Sequence, residues 1–123
     1  MQKTILPLLI VFFAFAACKE TQTVVSDTPP EKPIWTPAAL ITKYEQGEVS
    51  RCNFNGQTVY FGQRNAPDGG AEIYDDKGRQ IGVCYYSTNR VDAPCESAMG
   101  CEVIYRIKPN IWGKPGVKYN PKK

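Results

Sequence analysis

The side chains best able to catalyse a reaction in this chain are carboxylates, because the sequence contains no histidine. Without histidine, a serine or cysteine nucleophile lacks its usual general base, and no Ser-x-x-Lys sequence offers a lysine instead. Two carboxylates can divide acid and base work in a hydrolase, and the candidates are Glu72, Asp75 and Asp76. The two aspartates precede Lys77-Gly78, where aspartate commonly forms a turn. We therefore favour a turn and keep a small carboxylate-dependent hydrolase as an alternative function.

Metal and cofactor motifs are also missing from the sequence. A zinc site is not expected, because the chain has neither histidine nor a Cys-x-x-Cys pair. The segment "NAPDGG" and the aspartate turn both lack the ligand spacing of a calcium loop. No glycine-rich phosphate loop follows a predicted strand. We expect no cofactor and no metal.

Cysteine is the most informative residue type in this short chain, which has five cysteines in 123 residues. Four of them, an even number, predict two disulfides in an exported protein, and these are Cys52, Cys84, Cys95 and Cys101. Four cysteines allow three connectivities. We predict that Cys52 pairs with Cys84, which would join two hairpins, and that Cys95 pairs with Cys101.

The second of these disulfides would close a small ring from Glu96 to Gly100. Such a ring is either a staple in a long loop or a recognition loop, since a ring has already lost entropy that binding would cost. On the recognition hypothesis, Glu96 and Met99 contact the partner. Neighbouring aromatic residues, which are Tyr85, Tyr86 and Trp112, complete the candidate binding surface.

The fifth cysteine, Cys18, ends the N-terminal apolar segment. Residues 5 to 17 are uncharged and follow a lysine at position 3. This segment is shorter than the about 20 residues that span a bilayer, and it is typical of a secretory signal peptide. An ordinary cleaved signal followed by an unmodified cysteine remains the alternative.

The end of this segment resembles the lipobox of bacterial lipoproteins. Phe15-Ala16-Ala17-Cys18 has the small residues before the cysteine, with phenylalanine where leucine is usual. Lys19-Glu20 resembles the signal that Bacteroidota use to send lipoproteins to the cell surface. The resemblance covers about the first twenty residues and implies that Cys18 is acylated. It also implies an outer-membrane lipoprotein that is a candidate for surface exposure.

Composition divides the chain into four parts. Residues 1–17 are the predicted signal peptide, and residues 18–34 are the lipid-bearing cysteine and a proline-rich spacer. Residues 35–112 are the predicted domain, and residues 113–123 are a basic tail. The last sixteen residues carry five lysines and no acid, but the lysines are too scattered to indicate nucleic-acid binding. We interpret this tail as solvated.

One helix should precede the sheet. Thr36 suits the N-cap, Pro37 suits the first helical position and Gly47 suits the end. Leu40 and Tyr44 would then lie on one face. A helix of about ten residues does not persist alone, so it must pack on another element.

Two hairpins and a later strand predict that element. Asn55-Gly56 indicates a two-residue hairpin that sets Cys52 opposite Val59. A second hairpin should turn at Asp75 to Gly78, with Gly78 left-handed. That register puts four apolar residues on one face, namely Ala71, Ile73, Ile81 and Val83. A fifth strand is predicted from Glu102 to Lys108.

These patterns predict an α+β domain, with an N-terminal helix packed on a mainly antiparallel sheet of about five strands and stapled by disulfides. For function we expect a non-enzymatic binding module on a membrane anchor, with a protein or glycan partner. The alternatives are the carboxylate-dependent hydrolase and a purely structural envelope component.

Overall fold

A computed structural model of the chain describes residues 34 to 123, which form a six-stranded antiparallel sheet with short helices. The strands are β1 (Glu48–Phe54), β2 (Gln57–Gln63), β3 (Ala71–Tyr74), β4 (Gln80–Tyr85), β5 (Arg90–Val91) and β6 (Met99–Arg106). The helices are α1 (Pro37–Lys43), a 3-10 helix (Tyr86–Thr88) and α2 (Pro94–Ser97). The predicted signal peptide, the predicted acylation site Cys18 and nearly all of the predicted spacer lie outside the described residues.

The strand order across the sheet is β5-β4-β3-β2-β1-β6. The first five strands follow one another as neighbours, and β6 returns to the opposite edge beside β1. The mainly antiparallel sheet with helices and two disulfides is confirmed. The sheet has six strands where about five were predicted. The strand that the prediction missed is β5, which has two residues and is too short to show an alternating pattern in the sequence.

Helix α1 is shorter than predicted and does not lie at the N-terminus of the chain. It starts at Pro37, after an extended Thr36, because the fixed φ of proline suits the first turn of a helix. Thr36 makes no side-chain capping hydrogen bond. Leu40 within the helix and Tyr44 immediately after it are buried against the sheet.

The β1–β2 hairpin has the predicted register. Asn55 and Gly56 both have positive φ, at 50° and 77°, as a two-residue hairpin turn requires. Cys52 lies opposite Val59. The local turn chemistry therefore fixes which side chains of these two strands share a face.

The predicted register of the β3–β4 hairpin is wrong by one residue. Gly78 is left-handed as expected, with a φ of 76°. However, Ala71 lies opposite Cys84 and Glu72 lies opposite Val83, because the pairing is irregular after Ile73. A shift of one residue moves a side chain to the other face of a sheet, so Val83 does not share a face with Ala71.

The predicted disulfide connectivity is also wrong. Cys52 is bonded to Cys101, with 4.1 Å between the Cα atoms, because β6 pairs with β1. Cys84 is bonded to Cys95, with 5.8 Å between the Cα atoms, because α2 folds back over β4. No disulfide closes the segment from Glu96 to Gly100, so the predicted ring does not form.

The sheet has a separate apolar cluster on each face. The helix face is the cluster beneath α1, and its buried members are Leu40, Tyr44, Val49, Tyr60, Tyr74 and Ile104. The disulfide face is the cluster with the cysteines, and its buried members are Cys52, Val59, Ile73 and Cys84. Each face therefore has to be stabilised by its own contacts.

The C-terminal residues contact the sheet. Val117 exchanges two backbone hydrogen bonds of 2.9 Å with Arg106 at the end of β6. Tyr119 packs against the helix face. Lys123 forms an ion pair of 3.3 Å with Glu102. These contacts tie the segment predicted to be a solvated tail to the outer strand.

Candidate functional site

An open cavity of about 430 Å³ lies on the disulfide face. We call it the aromatic groove, because Phe61, Tyr86 and Trp112 contribute rings to its lining. Its volume falls within the range of about 300 to 1,000 Å³ that is usual for small-ligand sites. Strands, a loop before β3 and a C-terminal loop all contribute to it.

The floor of the aromatic groove is part of the disulfide face. Phe61 of β2 lies opposite Ile73 of β3, and both belong to the same apolar cluster. The disulfide between Cys84 and Cys95 also lines the groove. A covalent bond therefore holds α2, a helix of only four residues, at the floor of the groove.

One wall is the C-terminal loop that carries Ile111 and Trp112. The side-chain amide of Asn110 donates hydrogen bonds of 2.8 Å to the carbonyls of Ile107 and Lys114, which closes the loop on itself. The backbone N–H of Ile111 donates a 2.7 Å hydrogen bond to the side chain of Asn65. This bond fastens the loop to the segment before β3 and sets Trp112 beside the groove.

A second wall is the loop from Ala66 to Gly70. Gly70 has a φ of 59°, which favours glycine. A Cβ atom added there would lie 2.5 Å from the Tyr85 ring and 2.7 Å from the Cys84 carbonyl oxygen. Glycine at this position lets the wall approach β4 closely, which narrows the groove.

The aromatic groove presents apolar surface to solvent together with a few polar groups. Tyr86 is 65% exposed and Ile111 is 51% exposed. Gln63, Asp68 and Ser87 add an amide, a carboxylate and a hydroxyl to the lining. An exposed apolar patch with a few convergent polar groups is typical of a binding site.

A second candidate site is a polar cluster on the helix face, centred on the carboxylate of Glu72. We call it the Glu72 cluster. Tyr44 and Tyr74 each donate a 2.6 Å hydrogen bond to Glu72 Oε2, and their own hydroxyls are 2.9 Å apart. Tyr85 donates a 3.2 Å bond to Oε1. The Nζ atom of Lys43 lies 2.7 Å from the Tyr74 hydroxyl and 3.4 Å from Oε2.

The surroundings of the Glu72 cluster keep Glu72 ionised and Tyr44 protonated at neutral pH. Burial by itself would raise the pKa of Glu72, but the hydrogen bonds from Tyr44 and Tyr74 and the charge of Lys43 outweigh it and lower the pKa to about 2. Burial and the hydrogen bond to this carboxylate raise the pKa of Tyr44 far above its ordinary value. A general acid or base works best with a pKa near the operating pH, and neither group has one.

Asp75, another candidate of the hydrolase hypothesis, caps the β3–β4 turn. Its side chain accepts 2.9 Å hydrogen bonds from the backbone N–H groups of Lys77 and Arg79, and a 2.7 Å bond from Arg79 Nε. Burial would raise its pKa, but the hydrogen bonds from Arg79 lower it. Asp76 is exposed in the same turn.

The predicted binding residues are distributed over three places. Tyr86 and Trp112 both line the aromatic groove. Tyr85 points to the other face of the sheet and belongs to the Glu72 cluster. Glu96 is exposed on α2 and Met99 is 71% exposed at the start of β6. The surface that was expected to be continuous is therefore divided.

Sequence reasoning missed the groove residues that come from turns, including Asp68 and Ile111. The segment "NAPDGG" looks only like a turn in the sequence, and the pattern "NIWGKPG" gives no partner for its aromatic residue. The hydrogen bond between Asn65 and Ile111 spans 46 positions in the chain. No local pattern reports a contact of that length.

Among residues 34 to 123, no group of three or more histidine, cysteine, aspartate or glutamate side chains is placed to hold a metal ion. Within the same residues, no helix is long and apolar enough to cross a membrane. No family model matches the chain, and neither a curated protein nor a solved structure is detectably similar to it.

Proposed function

We propose that the protein is a lipid-anchored, exported binding module and that the aromatic groove is its contact site. The observation that carries the proposal is the exposure of Tyr86 and Ile111 in a groove that Trp112 also lines, with a disulfide at its floor and a hydrogen bond to Asn65 that fixes one wall. A fixed site loses little conformational entropy when it binds. Apolar and aromatic side chains in such a site supply the binding energy.

The hydrogen bonding of the carboxylates supports binding over the rival hypothesis, the carboxylate-dependent hydrolase. Glu72 accepts hydrogen bonds from three tyrosines, and Asp75 is occupied by its own turn. With a pKa of about 2, Glu72 is a weak base at neutral pH. These groups stabilise the fold in our proposal.

Site-specific photocrosslinking in intact cells tests the contact site. A photoreactive amino acid replaces Tyr86 in one variant and Met99 in the other, because both side chains are largely exposed and only Tyr86 lines the groove. We expect a discrete crosslinked product from position 86 and none from position 99. No product at position 86, or the same product at both positions, would contradict the proposal. A purely structural envelope component that packs through another surface would give no crosslinked product at position 86.

The membrane anchor has its own test, since it rests on the lipobox-like sequence ending at Cys18. The Cys18→Ala variant cannot accept a lipid on that residue, so an unprocessed precursor should accumulate. Mass spectrometry of the wild-type protein should find acyl chains on an N-terminal Cys18. A Cys18→Ala variant that is still cleaved and equally membrane-bound would show that the lipid anchor is wrong.

A further inference from the structure

We infer that the ligand of the aromatic groove is a neutral saccharide, an inference that rests on the proposed function. Tyr86 and Trp112 provide the apolar part of the site. The face of an aromatic ring carries negative charge density, and one face of a sugar ring presents C–H bonds with partial positive charge. A saccharide can therefore stack on these rings while its hydroxyl groups point outward.

The polar groups of the lining match hydroxyl groups. Gln63 offers an amide with two donors and one acceptor, and Ser87 offers a hydroxyl that both donates and accepts. Asp68 offers a carboxylate that accepts strong hydrogen bonds. A sugar ring has several hydroxyl groups around its edge, each a donor and an acceptor, so its hydroxyls are chemically complementary to all three side chains.

The charge of the lining selects against anionic ligands. Asp68 is the only charged side chain among the described residues that line the groove, and no lysine or arginine is among them. Phosphates, carboxylates and nucleic acids are usually held by such cations. A neutral ligand avoids repulsion by the Asp68 carboxylate.

An extended peptide fits the same surface less well. Peptides in extended form commonly pair with a free sheet edge, but β4 offers no free edge beside the groove, because Cys84 and Tyr85 already pair with β5. The N–H of Val83 donates a 2.8 Å hydrogen bond to Asp92 Oδ2, and the Val83 carbonyl accepts a 3.0 Å bond from the Asp92 N–H. A peptide in the groove would find few backbone partners, whereas a saccharide needs none.

Tryptophan fluorescence offers a direct test, because the chain has two tryptophans on opposite faces. Trp35 packs against Tyr60 on the helix face, and Trp112 lines the groove. The Trp35→Phe variant of the full chain, reconstituted in phosphatidylcholine vesicles, keeps Trp112 as its reporter. It would be titrated with a panel of neutral oligosaccharides, namely cellotetraose, mannotetraose, xylotetraose and chitotetraose. Circular dichroism would show whether the variant is folded.

We expect a saturable spectral shift of Trp112 with at least one member of the panel. In the same Trp35→Phe background, Tyr86→Ala should lower the affinity for that saccharide about tenfold, which is the effect expected for one lost aromatic contact. Met99→Ala should leave the affinity unchanged. Tyr86 is exposed, so its removal should not unfold the domain. No saturable shift with any saccharide, or a shift that Tyr86→Ala does not weaken, overturns the inference.

The photocrosslink at position 86 separates this inference from the proposed function. A crosslinked protein without saccharide binding would support a contact site in the groove and reject the saccharide. Absence of both would reject the two together. A proline-rich peptide that binds with a shift of Trp112, where no saccharide does, would also reject the saccharide.

Discussion

The two faces of the sheet are stabilised by different chemistry. The helix face has large side chains and the Glu72 cluster, in which Tyr44 and Tyr74 share one carboxylate oxygen. The disulfide face has a smaller apolar cluster, and both covalent bonds lie on it. A domain of this size buries little apolar surface, so disulfides commonly supply what a small core lacks.

The difference also separates stability from binding. On the helix face α1 covers the core, and the hydroxyls of Tyr44 and Tyr74 hydrogen-bond to each other and to the Glu72 carboxylate. On the disulfide face, the staple between Cys84 and Cys95 holds a short helix in place and leaves the aromatic groove open. Because disulfides stabilise this face, it depends less on burying its aromatic side chains, and Tyr86 is 65% exposed.

The largest effects are expected from removing the disulfides one at a time. The bond between Cys52 and Cys101 spans 49 positions, and the bond between Cys84 and Cys95 spans 11. Chain entropy predicts that replacing the first pair by alanine lowers the free energy of unfolding by about 4 kcal/mol and the second pair by about 3 kcal/mol. Urea denaturation of the two double variants measures both values.

The same two variants should differ in binding. Loss of the Cys84–Cys95 bond frees α2 at the floor of the groove and should lower the affinity for the ligand. The Cys52–Cys101 bond does not line the groove. Its loss should leave ligand affinity unchanged at temperatures where the variant is folded. A larger loss of stability from the shorter loop, or equal effects on binding, would contradict the division between the faces.

The next effect concerns the helix face, where Gly62 of β2 lies against the ring of Tyr44. A Cβ atom at position 62 would lie 2.2 Å from Tyr44 Cε2, which is closer than atoms can approach. Gly62→Ala should displace the ring and its hydrogen bond to Glu72, and lower the free energy of unfolding by about 1 to 3 kcal/mol. Thermal or urea unfolding would measure the change.

A double-mutant cycle gives the control for Gly62. In a Tyr44→Ala background the ring is absent, and alanine is favoured over glycine within a strand by about 0.5 to 1 kcal/mol. Gly62→Ala should then be neutral or slightly stabilising. A cost that is the same in both backgrounds would show that the ring is not the reason for glycine at this position.

How far the sequence predicts this molecule depends on the distance over which each contact acts. The Asn55-Gly56 turn fixes the pairing of Cys52 with Val59 locally, and that prediction is confirmed. The partner of Cys52 depends on which strand lies on the other side of β1, and no local pattern reveals that β6 returns there. The register of β3 and β4 depends on an irregular pairing after Ile73. A prediction from alternating apolar and polar residues assumes regular pairing and therefore misses it.

The two candidate sites show the same limit. Glu72 and Tyr74 are two residues apart on one strand, so their shared face could have been inferred from strand periodicity. Tyr44 joins them from a helix, and that contact depends on how α1 packs. In the aromatic groove, Tyr86 and Trp112 were identified as candidates, but only the fold brings them to one cavity.

A smaller, pH-dependent effect should come from Glu72→Gln. The pKa of Glu72 in the folded protein is about 2, below its ordinary value of 4.5. Folding therefore favours the ionised form, and the stabilisation is complete above about pH 4.5 and is lost as the pH falls toward 2. The stability difference between wild type and Glu72→Gln should be largest at neutral pH and should shrink below pH 4.5.

Urea unfolding of both proteins at a series of pH values checks this prediction. Asp75 and Glu102 also have a lowered pKa, but they are common to both proteins and cancel in the difference. Glu96→Gln is the matched control, because Glu96 is exposed and forms no ion pair within residues 34 to 123. A difference for Glu72→Gln that stays constant from neutral pH to acid would mean that the carboxylate charge does not stabilise the helix face.

The smallest effect is expected at Met99, where the sequence first suggested a contact residue. That suggestion relied on a ring from Glu96 to Gly100, and the ring does not form because Cys95 is bonded to Cys84. With 71% of the Met99 side chain exposed, Met99→Ala should change the free energy of unfolding by no more than about 0.5 kcal/mol. Because Met99 lies outside the aromatic groove, ligand affinity should not change either. If Met99→Ala weakens binding more than Tyr86→Ala does, the contact surface lies at the start of β6 and the aromatic groove is not the binding site.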